Sequence, residues 1–539
     1  MKAILIIVFL TIGSLGGCAH RGTDAPAGAA SPPAGPGPTT AAAPANLVAG
    51  GSSGAAPGPD VAFWANRKDL IQPPPPPPAA ELSLPPLERW KLDNGLDVVA
   101  VPRPGLPLIT FSVAIRAGGY DEQKGRTQGV ADFTAAMLRK GTRTRGAEQI
   151  SEAIDRVGGV LEATSNMESS TVTCSVLAKD AALCLSLLSD VLLRPTFPAA
   201  EMPEIRDQML AALGARVDDP HQLAAEFFDN LLFGEEHPDG WVLEPQHVRA
   251  ITRDALESFW KSYYRPGNAL LAVAGAFDPA AIKAAVGRAF NGWQPAPVPP
   301  RPTFQLPERR GKRVVLVDKP DLSQATLMFG HKGVKHTDPT WYAATLANYV
   351  LGGSDFSSRL MIEVRSRRGL TYGIGSSFGA SLYQGAFRVS AATRNETAGE
   401  ALTVTIDELR KMRAAGPTAE ELGKAKGYYA GSTPFRLESA AGIAHAIVAA
   451  ELHGLGIDYV RRLALNLAAV DLASVRAAAR TRLHPDDLAI VMVGRADVLE
   501  PQLRKLHLPF ERVDYRSSPS SAARGPTAGG VPGVGPAPR

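Results

Sequence analysis

The sequence predicts an α+β protein made of two homologous α/β-sandwich domains, each an antiparallel-rich sheet covered by helices. Three observations carry this expectation. Apolar residues alternate between strand-like and helix-like spacing from about residue 87 onward. A proline-rich break at 294–312 divides that patterned region in two. Four landmarks recur across the break at one offset of 219: Pro198 and Pro417, Glu201 and Glu420, Pro266 and Pro485, Gly275 and Gly494. A fixed offset over several landmarks is the mark of a duplicated unit, and 539 residues exceed what one core organises.

In chain order, the first segment reads as a targeting signal. Lys2 precedes an apolar run from Ala3 to Ile12, too short to span a bilayer, and small residues lead to Cys18. This is similar to a bacterial lipoprotein signal. The similarity implies cleavage after residue 17 and lipidation of Cys18, anchoring the protein in the bacterial cell envelope. Ala19 in the next position favours the outer membrane, facing the periplasm. Residues 18–84 are rich in Ala, Gly and Pro and end in the run Pro73–Pro78, a tether that buries too little to fold.

The first domain is expected over 85–293. Asn94-Gly95 between alternating apolar positions signals a hairpin. Leu108–Ala117 reads as a strand. Gly129–Thr142 reads as a helix with Val130, Phe133 and Met137 on its buried stripe. Helices are expected over 147–157, 181–193, 198–213 and 253–264, with strands through Cys174 and over Ala269–Gly275. The second domain is expected over 313–515, opening on the strand Arg313–Val317, and the tail 516–539 returns to Pro, Gly and Ser and is expected to be disordered.

Composition excludes some functions. A net charge of +4 with no basic run gives no nucleic-acid partner, and an apolar fraction of 45% is ordinary for a globular protein. Cys174 and Cys184 fall in a strand-like and a helix-like run and are expected as buried free thiols, although an exported chain permits a bridge. His331 and His336, with no carboxylate at ligand spacing beside them, are expected at the surface.

Taken together, Leu92-Asp-Asn-Gly-Leu96, Gly129–Thr142, Tyr264-Arg-Pro-Gly-Asn268, Leu351-Gly-Gly353 and Arg368-Gly-Leu-Thr-Tyr372 resemble the pitrilysin/insulinase family of zinc metallopeptidases. The resemblance is strongest to its short, two-domain branch, which includes the mitochondrial processing peptidases. It spans about residues 85–512 and implies a clam-shell of two similar domains that works as a dimer, often of unequal chains. It also implies where the chemistry belongs. The two ligand histidines of H-x-x-E-H fall on Asp132 and Ala136, and the general base falls on Ala135. The third ligand falls near Ala212 in Met209-Leu-Ala-Ala-Leu213. One carboxylate cannot replace three zinc ligands and a base, so this chain is expected to hold no metal and not to be an enzyme on its own.

In the same family, an arginine and a tyrosine seven residues later contact the substrate carbonyl; here they are Arg365 and Tyr372. Guanidinium and phenol are donors suited to an oxyanion. Gly352 and Gly353 stand where the non-catalytic processing subunit carries a glycine-rich substrate loop, although a helix C-cap accounts for them equally well. The resemblance therefore implies a non-catalytic subunit that pairs with a zinc-bearing homologue. It would supply substrate-binding and carbonyl-stabilising groups for cleavage of peptides or unfolded segments. The alternative is a non-proteolytic peptide-binding or scaffold lipoprotein, since a fold does not fix a function.

Overall fold

Two six-stranded mixed sheets, each covered by helices, form the frame of the computed structural model, which describes residues 78–82, 86–308 and 310–522. The first contains β1 (Glu88–Lys91), β2 (Asp97–Pro102), β3 (Leu108–Ile115), β4 (Val160–Ser165), β5 (Ser170–Leu177) and β6 (Ala269–Gly275), in the order β1-β2-β6-β3-β5-β4. The second contains β7 (Arg313–Asp318), β8 (Gln324–Lys332), β10 (Thr371–Phe378), β12 (Ala386–Arg394), β13 (Ala489–Gly494) and β14 (Phe510–Asp514), in the order β10-β12-β8-β13-β7-β14. Between them, β9 (Val334–Lys335) and β11 (Ala380–Ser381) make a short parallel ladder.

The sheets confirm the duplication seen in the sequence. Read from the β4 and β10 edges, both run edge, hairpin partner, long strand, apolar strand, opening strand. In both, the apolar strand is parallel to the opening strand, β6 on β2 and β13 on β7. Only the last position differs. The first sheet takes β1 from the chain ahead, antiparallel, through the turn containing Gly95 at φ +97°; the second takes β14 from behind, parallel.

β6 and β13 are buried along their whole lengths, which requires cover on both faces. One face of each sheet packs on its own half's helices. The other face receives a helix from the opposite half. Pro220–Phe233 inserts Leu223, Phe227 and Phe228 against Val315, Val317, Val491 and Val493 of the second sheet. Conversely, Ala440–Leu452 sets Ile443, Ile447 and Val448 against Val99, Val101, Leu270 and Ala272 of the first. The halves are joined by exchanged helices as well as by the linker.

A polar clasp closes the same junction. The Leu382 N–H donates to the Glu168 carboxylate at 2.8 Å, and Glu168 pairs with His453 at 2.8 Å. Arg301 of the linker donates to the Glu168 carbonyl at 2.5 Å and lies 3.5 Å from Asp121. His336 packs its ring 4.8 Å from that of His453 and hydrogen-bonds Tyr459. Burial pulls His453 down, but its bond and charge partner Glu168 outweigh this and raise its pKa above the ordinary value. Burial and the His453 charge keep His336 neutral to about 4.

A histidine whose pKa rises on folding stabilises the protein below its unfolded value, and that contribution is lost as pH climbs through the folded value. His453→Gln should therefore cost about 1.5–3 kcal/mol at about pH 5.5, where Glu168 is ionised and His336 neutral, and much less at about pH 9. Urea titrations of both proteins at the two pH values measure this; an equal cost at both would refute it.

Two sequence expectations are corrected. Cys174 and Cys184 are not free thiols but a disulfide, their Cα atoms 6.0 Å apart across a separation of 10 residues. The short turn Ala178–Asp180 reverses the chain, so an inward position of β5 and an inward position of helix Ala181–Leu193 meet in one core. Closing a loop of this size is worth about 2–3 kcal/mol in chain entropy. Melting with and without reductant should show that loss, and a Cys174→Ala/Cys184→Ala variant should melt like the reduced protein.

His331 is not at the surface either. It lies in β8, an interior strand covered on both faces, with its ring stacked on Phe387 at 4.8 Å. Nδ1 donates to the Lys332 carbonyl at 2.8 Å and Nε2 accepts the His484 N–H at 3.1 Å. Desolvation holds this histidine neutral, its pKa down to about 3. His336 is half-buried in the clasp.

Candidate functional site

The helix Val130–Met137 starts from Gly129, whose φ of +83° only glycine adopts without strain. The Glu122 carboxylate accepts the N–H groups of Gly129 at 2.9 Å and Ala131 at 2.8 Å, capping the positive end of the helix. Burial nevertheless pushes Glu122 up to about 8. Val130, Phe133 and Met137 are buried as their spacing predicts, and the α-helix gives way at Leu138 to a tighter turn reaching Lys140.

The opposite stripe carries the positions where metal chemistry was expected. Asp132 reaches solvent, yet surrounding protein displaces enough water to push its carboxyl up to about 6. Ala135 is buried and Ala136 half-buried. Helix Met202–Ala215 packs across this helix, with the Arg206 guanidinium 5.6 Å from the Phe133 ring centre, and it presents Ala212 exposed. The structure thus assembles the two helices but places one carboxylate and three methyl groups at the four positions in question. A catalytic zinc ion needs three nitrogen, oxygen or sulfur ligands and an open position. These residues do not fit it, and no group of three or more His, Cys, Asp or Glu suited to a metal occurs among the described residues.

Arg365 and Tyr372 are brought together. Arg365 lies in the π-helical segment Met361–Arg367; Gly369, at φ +61°, reverses the chain and donates its N–H to the Arg365 carbonyl at 2.9 Å. Tyr372 follows in β10. There the ladder pairs Thr371 with Thr393 but Gly373 with Ala392, leaving Tyr372 as the extra residue of a β-bulge. The Thr371 hydroxyl bonds the Gly373 and Ala392 carbonyls at 2.7 and 2.5 Å and holds the bulge in place. The bulge turns Tyr372 outward, 87% exposed, beside the guanidinium, whose central carbon lies 5.0 Å from the phenol ring centre.

A third side chain completes this group. Phe356, 73% exposed, places its ring centre 5.1 Å from the same guanidinium carbon. Such cation–π contacts hold an arginine without using its N–H donors. Among the described residues no carboxylate lies within ion-pair distance of Arg365; nearby Glu363 is engaged by Arg367 at 2.9 Å and Arg368 at 3.1 Å. The arrangement is a held guanidinium and a phenol, both accessible, with donors available to an incoming oxygen.

Gly352 and Gly353 lie in a second π-helical segment, Tyr349–Gly353. A Cβ on Gly352 would stand 2.5 Å from the Ser376 hydroxyl, and one on Gly353 would stand 2.8 Å from the Asn348 amide. Asn348 and Ser376 bond one another there, side chain to side chain at 2.7 Å and amide to carbonyl at 3.0 Å. The glycines therefore let this segment lie against β10, the strand that carries Tyr372.

No hydrogen bond, ion pair or ring contact links the Arg365–Tyr372 pair to helix Val130–Met137 among the described residues. Cys18 lies outside the described residues. Sequence reasoning missed Phe356; a lone aromatic among Ser354, Asp355, Ser357 and Ser358 was the available signal.

Comparison with known proteins places the family and the fold. Residues 98–239 match the family described as Insulinase (Peptidase family M16), and residues 250–428 match its Peptidase M16 inactive domain. An uncharacterised zinc protease of Streptomyces coelicolor is 30% identical over 73% of this chain and 86% of its own length. One from Mycobacterium tuberculosis is 33% identical over 65% of this chain and 80% of its own. Among solved structures, a peptidase M16 inactive domain from Pseudomonas fluorescens superposes with a TM-score of 0.71 at 27% identity, covering 76% of this chain and 98% of that one. A protease from Helicobacter pylori shares the fold, with a TM-score of 0.71 at 20% identity over 76% of this chain and 100% of its own. With these relatives matching along most of the chain, the protein belongs to the insulinase family of peptidases, family M16.

Proposed function

We propose that this chain is a non-catalytic subunit that pairs with a zinc-bearing homologue to form a peptidase. The observation that carries the reading is a contrast. The positions for ligands and base hold Asp132, Ala135, Ala136 and Ala212, whereas Arg365 and Tyr372 are adjacent and, among the described residues, without a carboxylate partner. In this reading the partner supplies zinc, water and base, and this chain binds no metal. It supplies donors to the scissile carbonyl of an extended peptide or unfolded segment, and one wall of a chamber that a second chain completes. The lipid on Cys18 holds the pair in the bacterial envelope, at the outer membrane facing the periplasm. The Cys174–Cys184 bridge suits such an oxidising compartment.

Co-expression with an H-x-x-E-H homologue encoded beside this chain tests the reading. A quenched-fluorescent peptide should be cut by the pair and by neither chain alone. Full turnover by the homologue alone would exclude the pairing and leave a peptide-binding or scaffold lipoprotein.

A further inference from the structure

We infer that the Phe356–Arg365–Tyr372 group selects acidic peptide segments, taking a carboxylate on the guanidinium and an adjacent bulky apolar side chain on Phe356. The inference rests on the reading that this face receives extended peptide, and adds which peptides it takes. Arg365 lies over two aromatic rings, at 5.1 and 5.0 Å, contacts made through the faces of those rings. Its five N–H donors remain, enough for one edge to face the scissile carbonyl and another to take the two oxygens of a neighbouring carboxylate.

The other arginines nearby already have carboxylate partners. Arg359 is satisfied by Glu421 at 2.7 Å. Arg367 and Arg368 share Glu363, and Arg368 also reaches Glu400 at 3.6 Å. Asp355, the acid beside Phe356, sits close enough to Tyr349 and Tyr428 to act on their phenols. Among the described residues, Arg365 thus stands as the arginine of this group without an ion-pair partner. Among the described residues, Tyr372 and Phe356 are the most exposed of the large apolar side chains, and Ile362, 37% exposed, lies on the segment that carries Arg365. Aromatic rings at this exposure offer a surface for an apolar neighbour of the acid.

The test is fluorescence anisotropy on the full chain, using short fluorescein-labelled peptides with amidated C-termini and a central Phe-Asp, Phe-Asn or Ala-Asp pair. The Phe-Asp peptide should bind about tenfold or more tightly than Phe-Asn, the scale of one charge-assisted pair. That gap should shrink as salt is raised and vanish with Arg365→Gln. Phe356→Ser, at an exposed position, should bring Phe-Asp down to the affinity of Ala-Asp while keeping the preference for acid. Equal binding of Phe-Asp and Phe-Asn overturns the selectivity and leaves peptide capture standing. Binding of none of the three removes both.

Discussion

Replacing Arg365 by alanine in the paired enzyme is expected to lower kcat for peptide cleavage by about 10²–10³-fold, the usual cost of losing one donor to a developing oxyanion. The guanidinium is held by two rings and, among the described residues, has no carboxylate to release before it meets substrate, so its donors are organised in advance. Arg365→Lys keeps the charge but loses the planar fork, and should recover only part of the rate. Tyr372→Phe removes a single neutral donor and should cost less than Arg365→Ala. Steady-state kinetics with a fluorogenic peptide separate this from a binding defect. Loss in kcat marks a group acting in the transition state, whereas a rise in KM alone marks uniform binding. A silent Arg365→Ala would remove the chain from catalysis.

The second large effect concerns architecture. Phe228→Ala is expected to destabilise the protein by about 3–5 kcal/mol, as for other fully buried phenylalanines. Its side chain is 0% exposed. It comes from the first half of the sequence yet packs in the cluster built on β7 and β13 of the second. Arg388 of β12 covers the ring at 5.4 Å and pairs with neighbouring Asp229 at 2.6 Å, so the anchor is polar as well as apolar. Urea unfolding gives the magnitude. Amide exchange gives the location: protection should fall in Ala489–Gly494, more than two hundred residues away in sequence. Loss confined to strands before residue 276 would contradict the exchange of helices.

What could be read from the sequence was what depends on neighbours along the chain. Ala269–Gly275 and its counterpart Ala489–Gly494 were legible because an unbroken apolar run ending in glycine has few other uses. Helix Val130–Met137 was legible from its stripe, and the Arg365–Tyr372 pair only through the family resemblance. The remainder depends on partners distant in sequence. The helix Pro220–Phe233 was not read from the sequence, and its apolar face alone would not have said against which sheet it packs. The bulge at Tyr372 exists only relative to the register of β12, so no local pattern reveals that this tyrosine is turned out. Cys174 and Cys184 were misread because strand and helix periodicity assign each an inward face but do not say that both faces look into the same space. His331 was misread because a polar residue ending an apolar strand looks exposed until the strand is placed in the middle of a sheet.

The helix exchange also imposes an order on biosynthesis. The first sheet has all its strands by Gly275, but the apolar face made by Val99, Val101, Leu270 and Ala272 waits for Ala440–Leu452 before it is covered. A nascent chain therefore carries an uncovered, sticky surface while some 160 further residues are made, and neither half matures as a separate folding unit. Burial of that face waits for a contact distant in sequence, and such contacts form slowly and leave apolar surface exposed to aggregation. A chaperone that binds extended apolar chain would find its target here between the completion of β6 and the arrival of the helix that covers it.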